Sequence, residues 1–267
     1  MLAEFGSLSL EFTRLTQLTG DPKYFDAIQR ITDNLEEAQS KTAIPGLWPT
    51  FLDADKLVFD DKRFTLGGMA DSTYEYLPKE HLLLGGRTNQ YQRMYEATVE
   101  PIKNHLIYRP MTKEGEDILF TGNAQARDGT SHSSLEPEAQ HLTCYVGGMV
   151  GIAAKVFKRP EDLSTARKLV DGCIWAYDSM PTGMMPELFH TTVCEEMHDC
   201  PWDESRWLAD VRAAAKHRSQ YPKTDNMEEA ARMIIKEDGL QPGFTRINDA
   251  QYHLRLDIAL FWDSLSC

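Results

Sequence analysis

Three times along the chain, two stretches of helical apolar period are joined by a break of a few residues, and this recurrence constrains the fold more than any other feature. Phe5, Leu8, Phe12 and Leu15 fall three and four apart, and Tyr24, Ile28, Ile31 and Leu35 repeat that spacing. Between them Gly20 stops the first helix, while Asp21 as N-cap and Pro22 at the first helical position start the second, which makes a short-linked antiparallel pair. Residues 70–84 pair in the same way with "NQYQRMYEATVEPIKNHL", and "EAQHLTCYVGGMVGIAAKVF" pairs with "EDLSTARKLVDGCIWAYDSM" across Arg159 and Pro160. Between the pairs, "GLWPTFLDADKLVFDDKRFTL" and "LIYRPMTKEGEDILFTGNAQARDG" alternate apolar and polar residues around Asp and Gly turns, so each predicts a small β-hairpin. The expectation is an all-α dominated fold, a toroid of helical hairpins with β-hairpins gathered at one rim. No Pro/Ser-rich linker divides it, and a single domain over residues 1–267 is expected, with 218–238 read as an inserted surface helix.

Charge narrows the choice of partner. Lys and Arg number 28 against 41 Asp and Glu, a net charge of -13, whereas phosphate binding needs clustered basic residues; nucleic acid is excluded. No run approaches the roughly 18 apolar residues of a membrane helix, and no signal or anchor is visible. Of the five cysteines, Cys144 could pair with Cys173 and Cys194 with Cys200, leaving Cys267.

Several acids could do chemistry. Asp71 lies between "FTLGGMA" and the helix-period residues Tyr74, Leu77 and His81, where an aspartate is expected to be an N-cap. Glu75 falls one turn later on the same face, among Tyr74 and Tyr76, and paired carboxylates with aromatic rings are what a sugar site uses: acids move protons, rings stack on the pyranose. Glu4 and Glu187 are further acids in apolar sequence context, where a carboxylate is expensive without a partner or a task. His141 opens a helix three residues before Cys144, and the bland reading of it is a satisfied structural histidine. His190, Cys194, His198 and Cys200 offer soft ligands for a zinc-stabilised interaction module, although their spacing matches no standard zinc pairing and a local disulfide competes. No phosphate loop, G-x-S-x-G or H-E-x-x-H occurs.

Taken in order, "LAEFGSLSLEFTRLTQLTGDPKY", "FTLGGMADSTYEYLPKEHLLLGG", "HLTCYVGGM", "GCIWAY", "PTGMMPELFH" and "GFTRINDAQYHLR" resemble the class I α-1,2-mannosidases, glycoside hydrolase family 47. The resemblance implies an (αα)7 barrel, here partial, with the glycan site at its mouth. It implies inverting hydrolysis of terminal α-1,2-linked mannose on Man9-type N-glycans, Ca²⁺ as cofactor, and a high-mannose N-glycan as partner. Asp71 matches an essential acid of the family. Glu4, His141 and Glu187 match residues lining its mannose subsites, Arg255 matches the arginine before its base, and Glu75 joins them as a substrate-binding candidate. Cys144 and Cys173 fall at the family disulfide, which implies the secretory route or the outside of the cell. Met69 occupies a position that helps set branch preference.

Departures from the pattern carry their own expectations. The family's general acid lies in an "FE-x-x-IR" motif that is absent from these residues. Where the family reads "LRPE-x-x-ES", this chain reads "HLRLDIALFWDSLSC": Leu256 replaces the proline and Asp257 stands at the position of the glutamate base, and residues 256–267 form a divergent tail without the threonine that holds the family's Ca²⁺. An inverting glycosidase needs an acid on one face of the scissile bond and a base on the other. The chain is therefore expected to be inactive, or to serve as a non-catalytic mannose-binding fragment. A barrel with some hairpins missing is also expected to expose apolar faces.

Overall fold

The computed structural model describes residues 1–127, 133–216, 224 and 226–253; Arg255, Leu256, Asp257 and the divergent tail lie outside the described residues. In chain order the elements are α1 (Leu2–Gly6), α2 (Ser9–Thr19), α3 (Lys23–Gln39), β1 (Arg63–Phe64), α4 (Asp71–Leu83), α5 (Gln90–His105), β2 (Ile107–Tyr108), β3 (Phe120–Thr121), β4 (Asn123–Ala126), β5 (Ser133–Glu136) and β6 (Glu138–Gln140). A 3₁₀ turn, His141–Cys144, leads into α6 (Tyr145–Val156), and Pro160–Asp162 leads into α7 (Leu163–Ser179). There follow β7 (Leu188–Thr191), α8 (Glu204–Ala215), α9 (Met227–Asp238) and β8 (Phe244–Asp249). The expected helical dominance with small antiparallel sheets is what the chain shows.

The first unit comprises Met1–Ile107, Gly122–Glu136 and Gly148–Ala166. Its antiparallel sheet, ordered β1-β4-β5, sets Phe64 opposite Ala124 and Ala124 opposite Leu135. Wholly buried Trp48 anchors the core: its indole N–H donates to the Leu35 carbonyl (2.8 Å), while the Tyr74 hydroxyl accepts from the Trp48 amide and donates to the Trp48 carbonyl, both at 3.0 Å. Gln39 stitches α3 to α5, the two hydrogens of its Nε2 shared among Met94 O (2.8 Å), Thr98 Oγ1 (2.9 Å) and Gly46 O (3.0 Å). Asp162 is fully buried between Lys103 and Arg159. Burial alone would raise its carboxyl, but hydrogen bonds from Arg159 and Lys103 outweigh that and hold it below the usual carboxylate range.

The first helical pair differs from its expectation. The single helix read through Phe5, Leu8, Phe12 and Leu15 is broken at Ser7 and Leu8, which takes a left-handed backbone (φ 71°). Gly6 packs against Thr73 of α4 so closely that an added Cβ would lie 2.9 Å from Thr73 Cβ. The buried residues of α2 are Ser9 and Thr13, with Leu8, Leu15 and Leu18 turned to solvent. Hydrogen bonding decides this: Thr13 Oγ1 donates to Glu80 Oε1 (2.6 Å), so the face of α2 that packs carries hydroxyls rather than leucines.

Glu80 is completely buried, with Thr13 its hydrogen-bond partner and Oε2 unsatisfied, and Glu11 is the charged group that acts on it. Desolvation therefore raises its carboxyl above the ordinary value of 4.5. The folded state keeps a proton that the unfolded chain releases at the ordinary value. Stability conferred by this group is full below that value and falls as pH rises through the elevated folded one. Glu80→Gln is expected to flatten the decline in melting temperature between mildly acidic and neutral pH while keeping the Thr13 bond. An unchanged slope in thermal melts of the variant would refute a protonated Glu80.

The second unit comprises Tyr108–Thr121, Pro137–Gly147 and Arg167 onward. Its sheet, β6-β7-β8, is antiparallel, with Glu138 opposite His190 and His190 opposite Arg246. Beneath it Phe120, Trp175, Phe189 and Phe244 form one aromatic core, Trp175 stacking on Phe244 at 5.1 Å and 10°. α8 carries Trp207, Leu208, Val211 and Ala215 inward, and the Trp207 indole donates to Phe244 O (2.9 Å). The helix expected within 218–238 is α9; Ala230, Ala231 and Ile234 bury its inner face. Among the described residues no helix is long and apolar enough to cross a membrane.

Candidate functional site

Asp71 is the first residue of α4, and the N-cap is Ala70 (φ -134°, ψ -24°), so the reading of Asp71 as the cap is corrected. The Asp71 amide donates to Gly67 O (3.0 Å), placing the side chain inside the first turn, where an acid suits the positive helix end. The loop ahead of it is clasped by α1. Ala3 N–H donates to Met69 O (2.8 Å), and Thr73 Oγ1 donates to Leu2 O (3.0 Å). Met69 itself is left-handed (φ 78°) and exposed.

Glu4 is also corrected: its side chain is 70% exposed and pairs with the Met1 amino group at 3.3 Å rather than sitting in apolar surroundings. α1 turns Leu2 inward, and a residue two positions on points to the opposite side of a helix. Glu75, one turn beyond Asp71, is ion-paired with Lys79. Tyr76 donates to Glu11 (2.8 Å), and burial, that bond and the charges of Glu11, Glu75 and Asp71 push its hydroxyl up to about 12.

In the second unit His141 and Glu187, far apart in sequence, meet. The His141 amide donates to Glu187 O (2.9 Å), and Nδ1 lies 3.6 Å from Glu187 Oε2; His141 is 2% exposed and Glu187 8%. On its other side, Nε2 is 2.5 Å from the Tyr177 hydroxyl. The rings of Tyr177 and Tyr252 flank the imidazole at 5.4 and 5.5 Å. The disulfide Cys144–Cys173 joins the turn that carries His141 to the helix that carries Tyr177, with Cα atoms 6.0 Å apart. Tyr177 and Tyr252 were not singled out from the sequence. A signal for Tyr177 was present, since it follows Cys173 by one helical turn and His141 precedes Cys144 by one.

A second polar group lines the β6-β7-β8 sheet. His190 Nε2 lies 3.3 Å from Arg246 Nη2 and 4.0 Å from Glu138 Oε2, and Asn248 donates to Glu138 (2.9 Å). Burial, with Arg246 beside it, depresses His190 to about 4, so it is neutral near neutral pH. The zinc reading fails at its sulfurs: Cys194 and Cys200 are bonded to each other, and neither thiolate is left to bind a metal.

The sequence profile of "Glycosyl hydrolase family 47" matches residues 1–256. Mannosyl-oligosaccharide alpha-1,2-mannosidase 1B of Aspergillus phoenicis is 34% identical over 190 residues, covering 70% of this chain and 36% of that protein. The human endoplasmic reticulum mannosyl-oligosaccharide 1,2-alpha-mannosidase is 27% identical over 224 residues, covering 84% of this chain and 30% of that protein. The chain thus spans about a third of the length of these relatives. An alpha-1,2-mannosidase from Trichoderma reesei shares the fold at a TM-score of 0.65 and 22% identity, over 99% of this chain and 59% of that one.

Proposed function

The chain belongs to glycosyl hydrolase family 47, and from that premise we propose that it carries part of a site for inverting hydrolysis of terminal α-1,2-linked mannose on Man9-type N-glycans. In this reading residues 1–267 are one partial catalytic domain. Asp71 is its catalytic carboxylate, and Glu4, Glu75, His141, Glu187 and Arg255 bind the glycan. The observation that carries the reading is the His141–Glu187 pair, buried and flanked by Tyr177 and Tyr252. A carboxylate and an imidazole beside two phenol rings suit a pyranose, whose hydroxyls need acceptors and donors and whose C–H face packs on aromatic rings. The two disulfides favour an oxidising compartment, the secretory pathway or the outside of the cell.

Inversion requires a proton donated to the leaving oxygen on one face of the bond and a base that orients water on the other. Asp71 supplies one carboxylate, position 257 holds Asp in place of the family's Glu, and no "FE-x-x-IR" acid lies within these residues. Family 47 enzymes are generally Ca²⁺-dependent. That ion takes about six to eight oxygen ligands, from carbonyls and water as well as carboxylates, and no step is assigned to it.

The 267-residue polypeptide by itself is therefore expected to bind α-1,2-mannobiose without releasing mannose. Calorimetric titration should show saturable heat that His141→Ala weakens at least about tenfold, the equivalent of a lost buried hydrogen bond. A flat titration of the wild-type chain would end the glycan reading. Mannose release that disappears in Asp71→Asn would instead show a complete site and overturn the expectation of binding alone.

A further inference from the structure

We propose that Tyr177 is a positioning residue that holds His141 as the Nδ1-protonated imidazole, aimed at Glu187. The proposal rests on the glycan reading only for its consequence in binding; the hydrogen-bond argument stands apart from it.

Two contacts frame the imidazole. Nε2 and the Tyr177 hydroxyl are hydrogen-bonded at 2.5 Å, and the rings meet edge to face at 69°. Were Nε2 to carry the proton of a neutral ring, the Nδ1 lone pair would face Glu187 Oε2 at 3.6 Å inside a buried site, setting two electron-rich atoms against each other. With the proton on Nδ1, the phenol donates to Nε2 and Nδ1–H points toward the carboxylate. Both ends of the ring are then favourably oriented. The tautomer of a histidine is set by the hydrogen bond its other nitrogen makes, and here that bond comes from Tyr177.

The backbone fixes both partners. His141 N–H donates to Glu187 O, which locks the residue carrying the imidazole to the residue carrying the carboxylate. Cys173, one turn before Tyr177 in α7, is tied to Cys144, one 3₁₀ turn after His141. The phenol is thus delivered to Nε2 by a covalent strut, and a half-buried tyrosine that would otherwise be only a ring beside the site acquires a directional role. Its hydroxyl contributes through His141 rather than through substrate.

Nitrogen-15 NMR of the imidazole in the intact chain tests the proposal without a glycan. In wild type near neutral pH, His141 is expected to show a protonated Nδ1 and an accepting Nε2. In Tyr177→Phe, which removes one hydroxyl and keeps the ring, the Nε2 resonance should move toward that of a nitrogen without a donor. A wild-type ring protonated on Nε2, alone or together with Nδ1, or a Phe variant with unchanged nitrogen shifts, overturns the proposal. Should the variant fold poorly, the wild-type tautomer alone decides. Titration with α-1,2-mannobiose forms the second arm: Tyr177→Phe is expected to weaken binding about tenfold, the value of one strong hydrogen bond. Absence of binding by wild type with the expected tautomer intact would count against the glycan reading and leave the role of Tyr177 standing. Wild-type binding that Tyr177→Phe leaves unchanged would show that orienting His141 does not serve the glycan.

Discussion

Replacing Cys144 and Cys173 together with alanine is expected to lower the unfolding free energy by roughly 3.5 kcal/mol, the chain-entropy value for a bridge closing a loop of this size. The two residues are 29 apart in sequence, against 6 for Cys194 and Cys200, whose removal should cost roughly 2 kcal/mol. The difference arises because the longer loop has more conformations to lose in the unfolded chain. A functional loss should accompany it, since His141 and Tyr177 stand one turn from the two ends of the longer bridge. Urea unfolding of the two double variants checks the ranking. Equal midpoints would mean that folded-state contacts around the sulfurs, rather than loop entropy, set the contribution of each bridge.

Gly46→Ala should be comparably damaging, at about 3 kcal/mol or more, from backbone strain and overpacking each worth roughly 1–3 kcal/mol. Gly46 has φ 100°, a region that L side chains rarely enter. A Cβ there would stand 2.7 Å from Pro101 Cγ and closer still to the Ala97 carbonyl oxygen. Pro101 lies inside α5 and has no N–H for the Ala97 carbonyl, so the helix leaves that oxygen facing outward where Gly46 packs. The substitution must also disturb the bond from Gln39 Nε2 to Gly46 O, and with it the seam between α3 and α5. A melting temperature within a degree or two of wild type would show that the loop can move aside at little cost.

The helical hairpins were legible because apolar spacing and breaks agreed, as at Gly20, which ends α2 in a left-handed conformation; the cap was misplaced by one residue, since α3 starts at Lys23 with Pro22 at the N-cap and Asp21 accepting from the Lys23 amide (3.1 Å). The break at Leu8 was not legible, because apolar period points to leucines as the inward face, whereas the Thr13–Glu80 hydrogen bond turns the hydroxyl face of α2 inward. α8 has a readable period in Trp207, Leu208, Val211 and Ala215, next to cysteines and histidines whose residue types alone suggest metal chemistry. Glu4 looked buried from its apolar neighbours, and only the helix phase of Leu2 reveals that it faces solvent. Asp71, His141 and Glu187 stood out from their local sequence context, and the family motifs supplied the roles expected of them. The meeting of His141 with Glu187 and Tyr177 is long-range, so no local pattern in the sequence encodes it.

Trp48 gives the first unit an optical signature of its own. It is the one tryptophan in that unit's described residues, while Trp175, Trp202 and Trp207 belong to the second. Its indole is shielded from water, donates to the Leu35 carbonyl and sits 5.5 Å from the Tyr74 ring, so a blue-shifted emission is expected of it. Subtracting the spectrum of a Trp48→Phe chain from that of the wild type isolates light from the α3–α4 clasp. The packing that frames the start of α4 can therefore be followed by fluorescence in real time, with no label attached.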